Sequence, residues 1–151
     1  MMYSDTSAAA GGGETSGRAL IQRRLQEMFA LRVAGDIEGM LAYVADDVVC
    51  FPRTNWGHAR YPYTLRGKAA VREAFLLRQI NYAILPSKIH RTLIDGDQAI
   101  VYRTCQVQSR GGGKILTFDS IDTFRFRDRL VVEFNELCDG TAREFVVNFP
   151  F

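Results

Sequence analysis

The chain contains no apolar run that approaches the roughly 20 residues a bilayer-spanning helix needs, so no helical membrane span is expected. Its start has neither the basic residues nor the apolar core of a secretory leader. Cysteine is scarce. Cys50, Cys105 and Cys138 are odd in number and widely spaced, which argues against a disulfide framework or a zinc site and fits a reduced, cytoplasmic chain. An excess of one charge is also missing: a formal net charge of +2, scattered along the sequence, is too small to argue for nucleic-acid binding. No phosphate-cradling glycine loop, Ser-His-Asp order, metal-ligand cluster or internal repeat stands out. Neither a cofactor nor a metal is expected.

What is present fits one domain. A chain of 151 residues buries most of its unfolded surface. Residues 1–17 are rich in Ser, Ala, Gly and Thr with little bulky apolar content, and are expected to form a disordered tail; residues 18–151 form the domain. From Arg18, the stripe Ile21, Leu25, Met28, Phe29 predicts a helix, continued loosely by Val33. Gly35 supplies its stop, and Asp36 the N-cap of a second, shorter helix with Ile37, Met40, Leu41 and Val44 inward. A strand from Val48 to Phe51 ends at Pro52, and a polar-aromatic loop with Trp56, His58, Tyr61 and Tyr63 follows. A third helix runs from Lys68 to about Tyr82, its stripe Val71, Ala74, Phe75 ending in an Arg78 expected to snorkel at the edge. Beyond Pro86 the pattern is strand-like, with turns at Gly96-Asp97 and Gly111 to Gly113.

The stretch from Lys114 to Cys138 carries most of the chemical information. Side chains on a strand alternate between faces, so Phe118, Ser120, Asp122, Phe124 and Phe126 share one face, as do Val132, Phe134, Glu136 and Cys138 on the next strand. Closing a hairpin around Asp128, Arg129 and Leu130 sets Phe124 against Phe134, Phe126 against Val132, Arg125 against Glu133, and Asp122 against Glu136. Aromatic and opposite-charge pairs favour that register. Two carboxyls opposed in an apolar wall do not both ionise cheaply, so one is expected to keep a proton near neutral pH.

Several short motifs in order resemble a known family: Ala34-Gly35-Asp36 followed by Ala45-Asp46-Asp47-Val48-Val49, then Arg66-Gly67-Lys68-Ala69-Ala70-Val71, Ile94-Asp95-Gly96-Asp97, and Ile121-Asp122-Thr123-Phe124-Arg125-Phe126 with Val132-Glu133. Over Leu20 to Asp139 the chain resembles the nuclear-transport-factor-2-like superfamily, in its SnoaL-like polyketide cyclase and ketosteroid isomerase branch. The resemblance implies an α+β fold: a cone-shaped, curved antiparallel sheet wrapped around three helices, with a pocket at the wide end and frequent dimerisation. It implies that Asp122 matches the isomerase acid that donates a hydrogen bond to an oxyanion, as in the established example of that enzyme. The isomerase's base falls on Phe51 and its tyrosine on Met28, so that triad is incomplete. Glu136 takes the position of a cyclase carboxylate on the last strand. The epoxide-hydrolase relay of Asp, Arg and Asp is absent as sought, because Arg103 is followed two residues later by Cys105.

The resulting expectation is a small apolar-ligand-binding domain, with acid–base proton transfer of isomerase, cyclase or lyase type as its candidate chemistry and a non-catalytic binding or dimerisation module as the alternative. Asp122, Glu136 and His58 are the candidate catalytic residues. Trp56, Tyr63, Tyr102, Thr104, Gln106, Ser120, Phe124 and Phe134 are the candidate ligand-binding residues, with Tyr102, Thr104 and Gln106 placed inside the cone through the family alignment. The expected partner is a small hydrophobic or cyclic molecule. The opposite face of that strand, Ala99, Val101, Arg103, Cys105 and Val107, is expected on the convex side and covered by a second copy of the chain.

Overall fold

The computed structural model describes residues 8–54 and 64–139. Its order is α1 (Ala8–Ala34), α2 (Ile37–Leu41), β1 (Val44–Thr54), β2 (Leu65–Arg66), α3 (Lys68–Asn81), β3 (Tyr82–Ile84), β4 (Lys88–Asp95), β5 (Gln98–Ser109), β6 (Ile115–Arg127) and β7 (Leu130–Cys138). The α1 helix begins well ahead of Arg18, so part of the segment expected as a tail is helical here; Ala is the strongest helix former, and Ala8, Ala9 and Ala10 open it. Gly35 ends the helix at φ 74°, a conformation that suits glycine. Its amide bonds the Arg32 carbonyl at 3.1 Å and that of Asp36 bonds the Leu31 carbonyl at 3.0 Å, while the Asp36 carboxylate accepts from the Gly39 amide at 2.8 Å and caps α2. Val44, expected on that helix, instead opens β1.

The strands form one curled sheet in the order β2-β1-β7-β6-β5-β3, with β4 also pairing β5. The expected α+β cone is what the chain forms, with one refinement: β1 and β7 run parallel, so the sheet is mixed. The β6–β7 register matches the sequence reading at Phe124↔Phe134, Arg125↔Glu133 and Asp122↔Glu136. Only its closure differs. Asp128 and Arg129, at φ 51° and 68°, make a two-residue turn, Phe126 pairs Val131 instead of Val132, and a bulge restores the register before Arg125.

The inner sheet face holds two apolar clusters. One joins Leu25, Met28, Met40, Val48 and Val71 to Val101, Phe124 and Phe134. The other gathers Tyr82, Cys105, Val107, Leu116, Phe118 and Cys138. Between them, along the same inward rows of β5, β6 and β7, lie Arg103, Ser120, Asp122 and Glu136, all buried. A polar belt therefore crosses three adjacent strands and divides the core.

Candidate functional site

The belt is built by alternation. Arg103 stands opposite Ser120, and Asp122 opposite Glu136, so a cation and two acids meet on one face without any loop to arrange them. Arg103 Nε donates to Asp122 Oδ2 at 2.6 Å, its Nη1 donates to Ser87 Oγ at 2.8 Å, and its Nη2 lies 3.8 Å from Glu136 Oε1. Ser120 Oγ donates to Asp122 Oδ1 at 2.6 Å. Two helices add their own cations: Arg78 Nη1 of α3 donates to Glu136 Oε2 at 3.1 Å, and Arg32 Nη2 of α1 to Glu136 Oε1 at 3.5 Å. Three guanidiniums thus face two carboxylates. Aromatic rings back them, with Arg103 over Phe29 at 5.0 Å and Arg32 and Arg78 over Phe75 at 5.5 and 5.7 Å.

Asp122 is 0 % and Glu136 1 % exposed, yet their proton affinities move in opposite directions. Burial alone raises a carboxyl. At Glu136 the fields of Arg32, Arg78 and Arg103 overcome burial and hold the group down to about 2. Asp122 stays raised: burial is the largest cause, Arg103 opposes it, and the charge on Glu136 adds to it. Burial likewise raises the thiols of Cys50, to about 12, and Cys105, to about 11, so neither offers a thiolate nucleophile. Among the described residues no group of three His, Cys, Asp or Glu is placed to hold a metal ion, and no helix is long and apolar enough to cross a membrane.

Besides a void of about 10 Å³ against Arg32, Arg103 and Glu136, two larger spaces adjoin the belt. An apolar cavity of about 40 Å³ is lined by Met28, Phe29, Val48, Val71, Phe124 and Phe134, among others. An open cleft of about 120 Å³ lies between the end of α1, α3 and β3. Arg32, Met40 and Phe75 belong to the walls of both. The cavity is small against the roughly 150 Å³ that holds a benzene ring, so among the described residues the expected hollow is largely filled by packed side chains.

The candidate residues separate accordingly. Asp122, Glu136 and Ser120 meet in the belt, and Phe124 and Phe134 stack at 5.0 Å in the cavity wall. Tyr102, Thr104 and Gln106 do not face the interior; this assignment is corrected. Tyr102 and Gln106 are exposed, and Thr104 Oγ1 donates to Asp119 Oδ1 at 2.7 Å on the outer face, where His90 also sits against Thr104 and Tyr102. The inward set is Ala99, Val101, Arg103, Cys105 and Val107, the more apolar of the two alternating sets. Trp56, His58, Tyr61 and Tyr63 lie outside the described residues.

Arg32 and Arg78 are the site residues that sequence reasoning missed. Arg78 is buried, not snorkelling. The signal was its place on the Val71, Ala74, Phe75 stripe, since a cation on a buried helix face demands an anion opposite. Arg32 continues the Leu25, Met28, Phe29 stripe by one turn, where Val33 was preferred; Val33 is exposed. Arg103, expected on the convex face and outside any one-strand relay, faces inward. In the structure it bridges two acids supplied by the neighbouring strands.

Comparison with known proteins agrees with this architecture. An NTF2-like protein from Burkholderia xenovorans is 21% identical with a TM-score of 0.67, covering 87% of this chain and 98% of its own. An LEH-like epoxide hydrolase from M. tuberculosis is 17% identical at a TM-score of 0.64, covering 84% and 89%. TerC, co-crystallised with polyporic acid, is 21% identical at 0.65, covering 83% and 95%. At such identities the likeness establishes the fold. No curated protein matches the chain. The sequence profile of the SnoaL-like domain matches residues 23–134, well over half of the chain, and the protein therefore belongs to the SnoaL-like domain family.

Proposed function

We propose that this domain binds a small, largely apolar molecule in the open cleft between the end of α1, α3 and β3, with the Arg–carboxylate belt buried behind its wall. One observation carries the reading: Arg32 lines both the apolar cavity and the open cleft while its guanidinium reaches Glu136. A convergent polar group at an apolar wall is the usual make-up of a ligand site. The complex of TerC with polyporic acid supports small-molecule binding by a cone of this fold. Amide NMR of the full chain against a panel of small cyclic compounds tests it. Shifts clustered at Arg32, Met40 and Phe75 are expected; no clustered shift with any compound would contradict the reading.

A second reading is favoured by the opposed proton affinities of Asp122 and Glu136, a pattern found where acid–base roles are divided. Here Asp122 would be the proton-bearing partner or oxyanion donor, Glu136 the acid–base group and His58 a further candidate, acting on small cyclic ketones or polyketide-like enols by family analogy. Turnover requires the arginines around the two acids to open, since both acids are enclosed. Loss of proton exchange on such a ketone in Asp122→Asn, with Glu136→Gln still binding it, would support this reading.

The outer sheet face is the proposed homodimer surface. Leu93, Ile100, Tyr102, Ile121 and Leu137 are exposed there, and the pairings Leu93↔Ile100, Tyr102↔Ile121 and Ile121↔Leu137 make them one patch.

A further inference from the structure

The open cleft is unbalanced in charge. Among the described residues its wall includes three arginines, Arg32, Arg78 and Arg110, and no carboxylate, together with the apolar Phe75, Met40 and Ile84. Its volume of about 120 Å³ approaches the roughly 150 Å³ of a cavity that accepts a benzene ring. The interior behind it does not restore the balance, because Arg32, Arg78 and Arg103 share two acids, Asp122 and Glu136.

Arg32 is the member with donors to offer. A guanidinium carries five N–H groups, and among the described residues its one hydrogen bond is the 3.5 Å contact from Nη2 to Glu136. Its side chain is 12% exposed, at the boundary between cleft and interior. Arg110, at the exposed rim, has its Nε fixed on the Gln79 carbonyl at 2.7 Å, which orients the guanidinium while leaving its terminal nitrogens for a ligand.

We propose that the molecule bound here is a small organic anion: a carboxylate on an apolar ring or chain, its charged group on Arg32 and Arg110 and its body against Phe75, Met40 and Ile84. The inference rests on the ligand-binding reading above and names the ligand class. A carboxylate matches the guanidinium fork with two parallel hydrogen bonds. In a plain apolar cup the same group would be rejected by its desolvation cost; beside surplus guanidinium charge it is the favoured occupant.

The test compares cyclohexanecarboxylate with its neutral isostere cyclohexanecarboxamide, titrated into the full chain and followed by amide NMR. The carboxylate is expected to bind at least tenfold more tightly, with shifts centred on Arg32, Phe75 and Ile84. Arg110→Gln, an exposed change outside the buried belt, should weaken the carboxylate severalfold and leave the carboxamide unaffected. Arg32→Lys keeps the charge but loses the fork, and should erase most of the preference. Equal affinity for the two compounds would overturn the anion proposal while leaving ligand binding intact. Binding of neither would overturn both.

Discussion

Asp122 and Glu136 stand directly opposite each other on β6 and β7, and Arg103 reaches both, its Nε 2.6 Å from Asp122 Oδ2 and its Nη2 3.8 Å from Glu136 Oε1. Two opposed acids were expected to compete for one proton. The arginines change the terms of that competition: their charge favours the ionised form of Glu136, and Asp122 is left as the group with the higher proton affinity. The belt therefore has the character of a buried ion network first. Chemistry on a substrate requires it to open.

Breaking that network is expected to be costly. Removing one partner from a buried pair strands a charge and typically costs about 3–5 kcal/mol. Arg103→Met should lower stability by about that much, while the combined change with Asp122→Leu should cost clearly less than the sum of the two singles. Urea unfolding of the four proteins of this cycle measures the coupling; additive losses would contradict the Arg103–Asp122 contact.

Stability should also carry the sign of the Glu136 shift. Its folded-state value lies below the ordinary 4.5, at about 2, so its contribution is fully present above pH 4.5 and is lost as pH falls through about 2. Asp122, being raised from 3.8, acts oppositely: its contribution is greatest below 3.8 and declines as pH rises through its folded value. The stability gap between the native chain and Glu136→Gln should therefore be widest above pH 4.5 and close towards pH 2. A gap that widens on acidification contradicts the assignment.

In the apolar layer, Phe124 stacks on Phe134 at 5.0 Å and meets Phe29 edge-on at 6.2 Å. Phe124→Ala is expected to destabilise the fold by about 3–5 kcal/mol, read as a fall in thermal midpoint. A loss under about 1 kcal/mol would mean that the cavity wall is not packed as described.

On the outer face, Ile121 sits between Tyr102 and Leu137 in the pairing order. Ile121→Lys should shift a native dimer to monomer in sedimentation without lowering the monomer's folding stability by more than a few tenths of a kcal/mol. If the native chain already sediments as a monomer at high concentration, the proposed face is not an interface.

The β6–β7 turn offers a smaller effect. Arg129 is held at φ 68°, a conformation costing a non-glycine residue roughly 1–2 kcal/mol. Arg129→Gly should raise stability by about 0.5–1 kcal/mol, since glycine also loses more entropy on folding. Calorimetry showing a loss would place the turn elsewhere.

Much of the fold was legible because it rests on local rules. Gly35 and Asp36 announced a helix end and a cap, and the period-two pattern of Phe118 to Cys138 with its charge pairs set the register of Asp122 against Glu136. What was not legible has a common cause. Alternation divides Tyr102, Thr104 and Gln106 from Val101, Arg103 and Cys105 without saying which set faces inward, and the family alignment pointed to the polar set. Arg32 and Arg78 were hidden for the same reason: a cation on a helix stripe looks like an edge residue until the strand bearing its partner is brought opposite. The parallel meeting of β1 and β7 joins the two ends of the domain, and no local pattern encodes it.

The most direct test of the ion-network account is a carboxyl-carbon NMR titration of Glu136 in the full, ligand-free chain. The account predicts that this resonance stays in its ionised position from neutral pH down to near 2, while Asp122 titrates above 3.8. A Glu136 resonance that titrates at or above 4.5 would show that Arg32, Arg78 and Arg103 do not hold its charge, and the belt as described would fail.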